Sequence, residues 1–105
     1  MNNLFIIINN ENEFNSIQKY WIDRGYLWGG YDKRYLKVNY SYLSKHISVN
    51  HEEKMLLHGG QSDINYYHQQ TTYPNSTRYI GYISITAHDF LKQKMLRINK
   101  LNKIL

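Results

Sequence analysis

Leu4-Phe5-Ile6-Ile7-Ile8-Asn9-Asn10-Glu11-Asn12-Glu13-Phe14 is the stretch on which the fold of this chain turns. Its first five residues are an unbroken apolar run rich in β-branched side chains, the pattern of a strand covered on both faces or nearly so. Two asparagines stop it. Asn10 suits a helix N-cap, with Glu13 three residues on to complete a capping-box-like pair. Glu11 and Glu13 in the first turn also complement the helix dipole. Phe14, Ile17 and Trp21 then fall on one stripe, and Gly25 stands where a C′ residue should. The spacing predicts a buried strand followed by a helix over about 11–24.

Beyond that helix, Tyr26-Leu27-Trp28 reads as a short strand broken by Gly29-Gly30. From Tyr35 the period is two, which predicts a half-buried strand with Leu36, Val38, Tyr40 and Tyr42 on its apolar face. His46 to Val49 reads as a strand partner. Residues 50–73 read as a loop carrying a short helical turn over 52–57, and Pro74-Asn75-Ser76 as a turn. Alternation returns from Arg78 to Thr86. Thr86 then suits the cap of a last helix, with Asp89 at N3 and an apolar arc of Phe90, Leu91, Met95, Ile98, Leu101 and Leu105. The whole predicts a single α+β domain over 1–105. Two layers are expected: a mainly antiparallel sheet of four or five strands, and helices at about 11–24 and 87–104.

Charge is distributed unevenly. The net charge is +5, and the basic and acidic side chains up to Leu91 balance. The excess is Lys92, Lys94, Arg97, Lys100 and Lys103, all on the terminal helix. The absence of cysteine removes disulfides, thiolate catalysis and thiolate-ligated zinc. With eleven tyrosines, many rings must lie at sheet edges or line grooves, because a buried phenol needs a hydrogen-bond partner. The run Leu4–Ile8 is too short for a signal peptide or a membrane span. A soluble, cytoplasmic protein with no membrane partner is expected.

The opening from Phe5 through Asn9-Asn10-Glu11-Asn12-Glu13-Phe14 and Ile17-Gln18 to Gly25-Tyr26-Leu27-Trp28 resembles that of short uncharacterised proteins of tailed phages and prophages. Ile85-Thr86-Ala87-His88-Asp89-Phe90-Leu91 is similar to their strand-to-helix ending. The resemblance implies a small α+β protein of viral origin, acting in the cytoplasm of an infected bacterium. It carries over no catalytic residue. The cationic run after Leu91 is this chain's own departure.

No enzyme signature emerges. The five histidines (His46, His51, His58, His68 and His88) lack the paired helical spacing of a zinc-protease motif, and neither Gly-Gly pair precedes the Lys-Ser/Thr of a P-loop. Acid–base pairs such as His88 with Asp89, or His68 with Asp63, define a hydrolase reading that ranks last. No metal and no cofactor are expected. What the sequence offers is aromatic rings interleaved with cations, the means of holding a base and its phosphate. Tyr26, Trp28, Tyr31, Tyr66 and Tyr67 are the candidates for stacking, and Lys33, Arg34 and Arg78 for phosphate.

The leading expectation is therefore a non-enzymatic binding protein that interferes with a host or defence process by sequestering an anionic, nucleotide-like signal or a host protein. The alternative is a nucleic-acid-binding module that uses Lys92, Lys94, Arg97, Lys100 and Lys103. The half-apolar terminal helix also suggests a homodimer.

Overall fold

The computed structural model describes residues 2–30, 33–69 and 79–94. Among them are six strands in one mixed sheet: β1 (Leu4–Ile7), β2 (Leu27–Gly29), β3 (Arg34–Tyr35), β4 (His46–Asn50), β5 (Met55–Gly59) and β6 (Ile83–Thr86). Their order across the sheet is β3-β2-β5-β4-β1-β6. β1–β4, β4–β5 and β2–β3 pair antiparallel, whereas β1–β6 and β2–β5 pair parallel. Helices are α1 (Glu11–Ile22), α2 (Gln61–Gln69) and α3, which begins at 87 and is described to 94. The fold is α+β, with one or two more strands than expected.

The opening stretch behaves as its sequence dictates. β1 lies inside the sheet, and Phe5 and Ile6, which point to opposite faces, are both fully buried. Asn10 Oδ1 accepts the Glu13 amide at 2.9 Å, and the Glu13 carboxylate accepts the Asn9 amide at 2.9 Å. That reciprocal pair starts α1 directly after β1. Gly25, at φ 89°, reverses the chain beyond α1, a conformation in which a side chain would be strained. At the far end Thr86 Oγ1 accepts the Asp89 amide at 3.1 Å, so the last strand residue caps α3.

Alternation divides the strand side chains between two cores. On one face Ile6, Ile47, Val49, Leu56 and Trp28 meet Phe14, Ile17 and Trp21 of α1 and Phe90 of α3. On the other, Phe5 meets Ile64, Tyr66 and Tyr67 of α2, together with Tyr79 and Tyr82. The two expected layers thus gain a partial third.

The middle of the chain departs from its sequence reading. Residues 55–57, expected in a helical turn, belong to β5; the turn is at 51–54, where Lys54 takes φ 51°. Residues 61–69, read as loop, form α2. The alternation after Tyr35 does not extend β3. Leu36 and Tyr42 are 69% and 80% exposed, and only Val38 and Tyr40 of that set pack on the core. Residues 79–82 form a turn before β6, with Gly81 at φ 82°. The expected turn at Pro74 and the helix beyond Lys94 lie outside the described residues.

Candidate functional site

His46 and Ser48 sit two apart on β4, so both point to the α2 face, while Ile47 and Val49 fill the opposite core. Both polar residues are buried. Ser48 Oγ and His46 Nδ1 are 3.2 Å apart, and the imidazole stacks on Phe5 with ring centroids 4.3 Å apart. On its other side His46 Nε2 stands 3.8 Å from Asp63 Oδ2, in the first turn of α2. Gly59 pairs with His46 across the β4–β5 ladder. A Cβ at 59 would lie 2.6 Å from His46 Nε2 and would collide with the Asp63 carboxylate. Glycine at this position is what lets the imidazole and the carboxylate meet.

These polar groups form the floor of a pocket of about 260 Å³, walled by Leu57, Tyr79 and Tyr82. Tyr79 is the hub of the wall. Its ring stands edge-on to Phe5 (5.0 Å), Tyr82 (5.5 Å) and Tyr67 (5.9 Å). Tyr67 stacks on Phe5 at 4.5 Å, and its hydroxyl donates to the Tyr82 carbonyl at 3.1 Å. Burial pushes the Tyr82 phenol above its ordinary pKa, against a hydrogen bond with the Asn50 side chain, so the phenol stays neutral at physiological pH.

The same face continues toward β3 in one cross-sheet row. Arg34 pairs with Gly29, Gly29 adjoins Leu57 where the β2–β5 register runs on from Trp28 opposite Leu56, Leu57 pairs with Ser48, and Ser48 with Phe5. Gly29, Gly30, Met55, Lys33 and Arg34 line a second hollow of about 200 Å³. A Cβ on Gly29 would meet Met55 Sδ at 2.6 Å and Leu57 Cδ2 at 3.2 Å, so these two side chains are the ridge between the hollows.

The residues singled out from sequence are divided by the sheet. Tyr26 and Trp28, expected to stack on a ligand, are instead sealed in the α1 core at 7% and 1% exposure. They are held there by polar contacts: Tyr26 Oη lies 2.7 Å from His51 Nδ1, and Trp28 Nε1 donates to Gln18 Oε1 at 2.6 Å. Apolar alternation with Leu56 and Phe14 claims Trp28 before any ligand can. Tyr66 and Tyr67 lie on the opposite face behind the pocket wall, and Lys33 and Arg34 are exposed at the second hollow. Tyr31 and Arg78 lie outside the described residues. Of the terminal cations, Lys92 is exposed, and Lys94 Nζ lies 5.7 Å above the Tyr20 ring and 5.2 Å above Phe90. Arg97, Lys100 and Lys103 lie outside the described residues.

Sequence reasoning missed His46, Ser48, Leu57, Asp63, Tyr79 and Tyr82 as a group. Their signal was a strand whose alternate positions are polar while the others are Ile and Val, followed by Gly59-Gly60.

In order, Ser48, His46 and Asp63 form a hydroxyl–imidazole–carboxylate series. A nucleophile's role for Ser48 is poorly served, because it sits mid-strand in a strand paired on both sides. Its neighbouring amides are committed to the ladder rather than gathered at a developing oxyanion. As a recognition surface the series serves well, since it offers donors and acceptors at the bottom of an aromatic-walled cavity. No cluster of three or more histidine or acidic groups suited to a metal occurs among the described residues, and no helix among them is long and apolar enough to cross a membrane. No family model, curated protein or solved structure matches this chain.

Proposed function

We propose that this is a non-enzymatic binding protein that captures a nucleotide-like ligand on the α2 face of its sheet. The observation that carries the reading is the pocket of about 260 Å³ whose floor, under Tyr79 and Tyr82, is buried Ser48 and His46 with the half-buried Asp63 beside them. That volume lies just below the ~300–1,000 Å³ usual for small-molecule sites, and it suits one heterocyclic ring system rather than an extended ligand. Tyrosine faces stack on any base, and the polar floor reads hydrogen-bonding edges. A phosphate attached to that ring would cross the Leu57–Met55 ridge toward Lys33 and Arg34, the exposed cations of the same face. Action in the cytoplasm of an infected bacterium, against a host or defence signal, is supported by the resemblance of the two terminal stretches to phage proteins.

Calorimetry with linear and cyclic nucleotides and with the matching nucleosides tests this. Heat should be released on nucleotide binding and diminish in Ser48→Ala and Tyr82→Ala, but not in Lys19→Ala on the far face. A flat response to every nucleotide and nucleoside would end the proposal.

A further inference from the structure

On the other side of the sheet, α1 and the segment after β3 enclose a groove of about 270 Å³. Gln18 lies at its base with only 5% of its surface exposed. Its amide orientation is fixed by chemistry. One terminus faces two obligate donors, the Trp28 indole N–H at 2.6 Å and the Val38 amide at 2.7 Å, so that terminus must be the oxygen. The other terminus is therefore Nε2, with two N–H groups to give. Among the described residues it finds no acceptor, and it is not sealed in, so it opens on the groove.

A nearly buried amide that presents only donors to a cavity asks for an acceptor. The remaining lining says which kind. Lys37 borders the groove and makes no ion pair among the described residues, whereas Lys19 and Asp23 neutralise one another at 3.0 Å. The uncommitted charge is thus positive. Ile22 and Leu36 supply apolar walls, and Leu36 is 69% exposed. We infer that this groove binds the carboxylate of a small organic acid: Gln18 Nε2 and Lys37 Nζ donate to its two oxygens, and its hydrocarbon part lies on Ile22 and Leu36.

The Trp28 indole is a built-in reporter, because its N–H donates to the amide that would hold the ligand. The probe is sodium hexanoate, titrated at constant ionic strength into 15N-labelled protein, with hexanamide as the neutral twin. We expect a saturable shift of the Trp28 indole resonance with hexanoate and little with hexanamide. Lys37→Ala, at an exposed position, should weaken hexanoate binding by about tenfold, the worth of one charge-assisted hydrogen bond. Gln18→Glu keeps an oxygen for Trp28 and Val38 but replaces the donor, and should abolish binding. The inference is overturned if no saturable shift occurs, if hexanamide binds equally, or if Lys37→Ala binds as tightly as the parent. Nucleotide binding on the α2 face is a separate measurement and leaves this result untouched.

Discussion

His46 and Asp63 meet above Gly59. The imidazole Nε2 and the carboxylate Oδ2 are 3.8 Å apart, over a backbone position where a Cβ would lie 2.6 Å from that nitrogen. The pairing of strand, glycine and helix start is therefore one device. β5 must end in a residue without a side chain for α2 to lay its first turn against β4.

Gly59→Ala should consequently cost about 1–3 kcal/mol, the usual penalty of overpacking a filled site. Gly60→Ala should be close to silent, because its Cβ would find nothing nearer than Leu43 Cδ2 at 3.6 Å. Thermal melts of the two variants check this. A domain of this size shifts by about 4–8 °C per kcal/mol, so the difference is readily resolved. Equal melting temperatures would show that His46 and Asp63 part at no cost.

Why β1, α1 and the start of α3 were legible, and β5 and α2 were not, has a physical reason. Leu4–Ile8 and Phe14/Ile17/Trp21 each bury a whole face, and Asn10 and Thr86 cap by contacts within four residues, so pattern and structure coincide. β5 is half exposed at Leu57 and His58, and α2 buries Ile64 with only partial cover of Tyr66 and Tyr67, so neither shows a strong period. The strand pattern after Tyr35 was misleading in the opposite sense. Its alternation is real, but among the described residues no strand pairs with it beyond Tyr35, and Val38 is anchored by Gln18 instead. The pocket was hidden because its parts come from β4, β5, α2 and the turn before β6, which only the sheet order brings together.

Acidification should destabilise the protein below about pH 6.5. Burial holds the His58 imidazole below its ordinary value of 6.5, with its ring against Trp28 and Phe14 although part of it remains exposed. Burial likewise lowers His51, partly offset by a hydrogen bond to the Asn2 backbone. Both groups take up protons more readily when unfolded. Their contribution is therefore complete above 6.5 and is lost as the pH falls from there through their folded values. Melts between pH 7.5 and 5 should show that decline, and His58→Phe should flatten it. An unchanged slope in His58→Phe would place the titration elsewhere.

Gln18→Leu removes the acceptor shared by the Trp28 indole and the Val38 amide. Each stranded donor costs about 1–3 kcal/mol, and the added apolar burial offsets only part of this. The expected result is a clearly lower denaturation midpoint, with Trp28 emission moved to the red as the segment around Val38 loosens from α1. Retention of both properties would mean that water replaces the amide oxygen without loss.

The phosphate arm of the proposed site is separable from its base pocket. Arg34 stands three strand positions from Ser48 along one row, on the order of 14 Å at the usual strand spacing. Gly29 has no side chain of its own, so what stands between them is the ridge of Met55 and Leu57. A nucleoside should therefore occupy the pocket without sensing Arg34, whereas a nucleoside monophosphate should sense both. Arg34→Ala is expected to weaken the monophosphate by about tenfold, or about 1.4 kcal/mol, and to leave the nucleoside unchanged. The advantage of the monophosphate should also shrink as salt is raised, because Lys33 and Arg34 are exposed. If Arg34→Ala weakens both ligands alike, the residue supports the fold of β2–β3 rather than the phosphate. If it weakens neither, the ligand does not cross the Leu57–Met55 ridge.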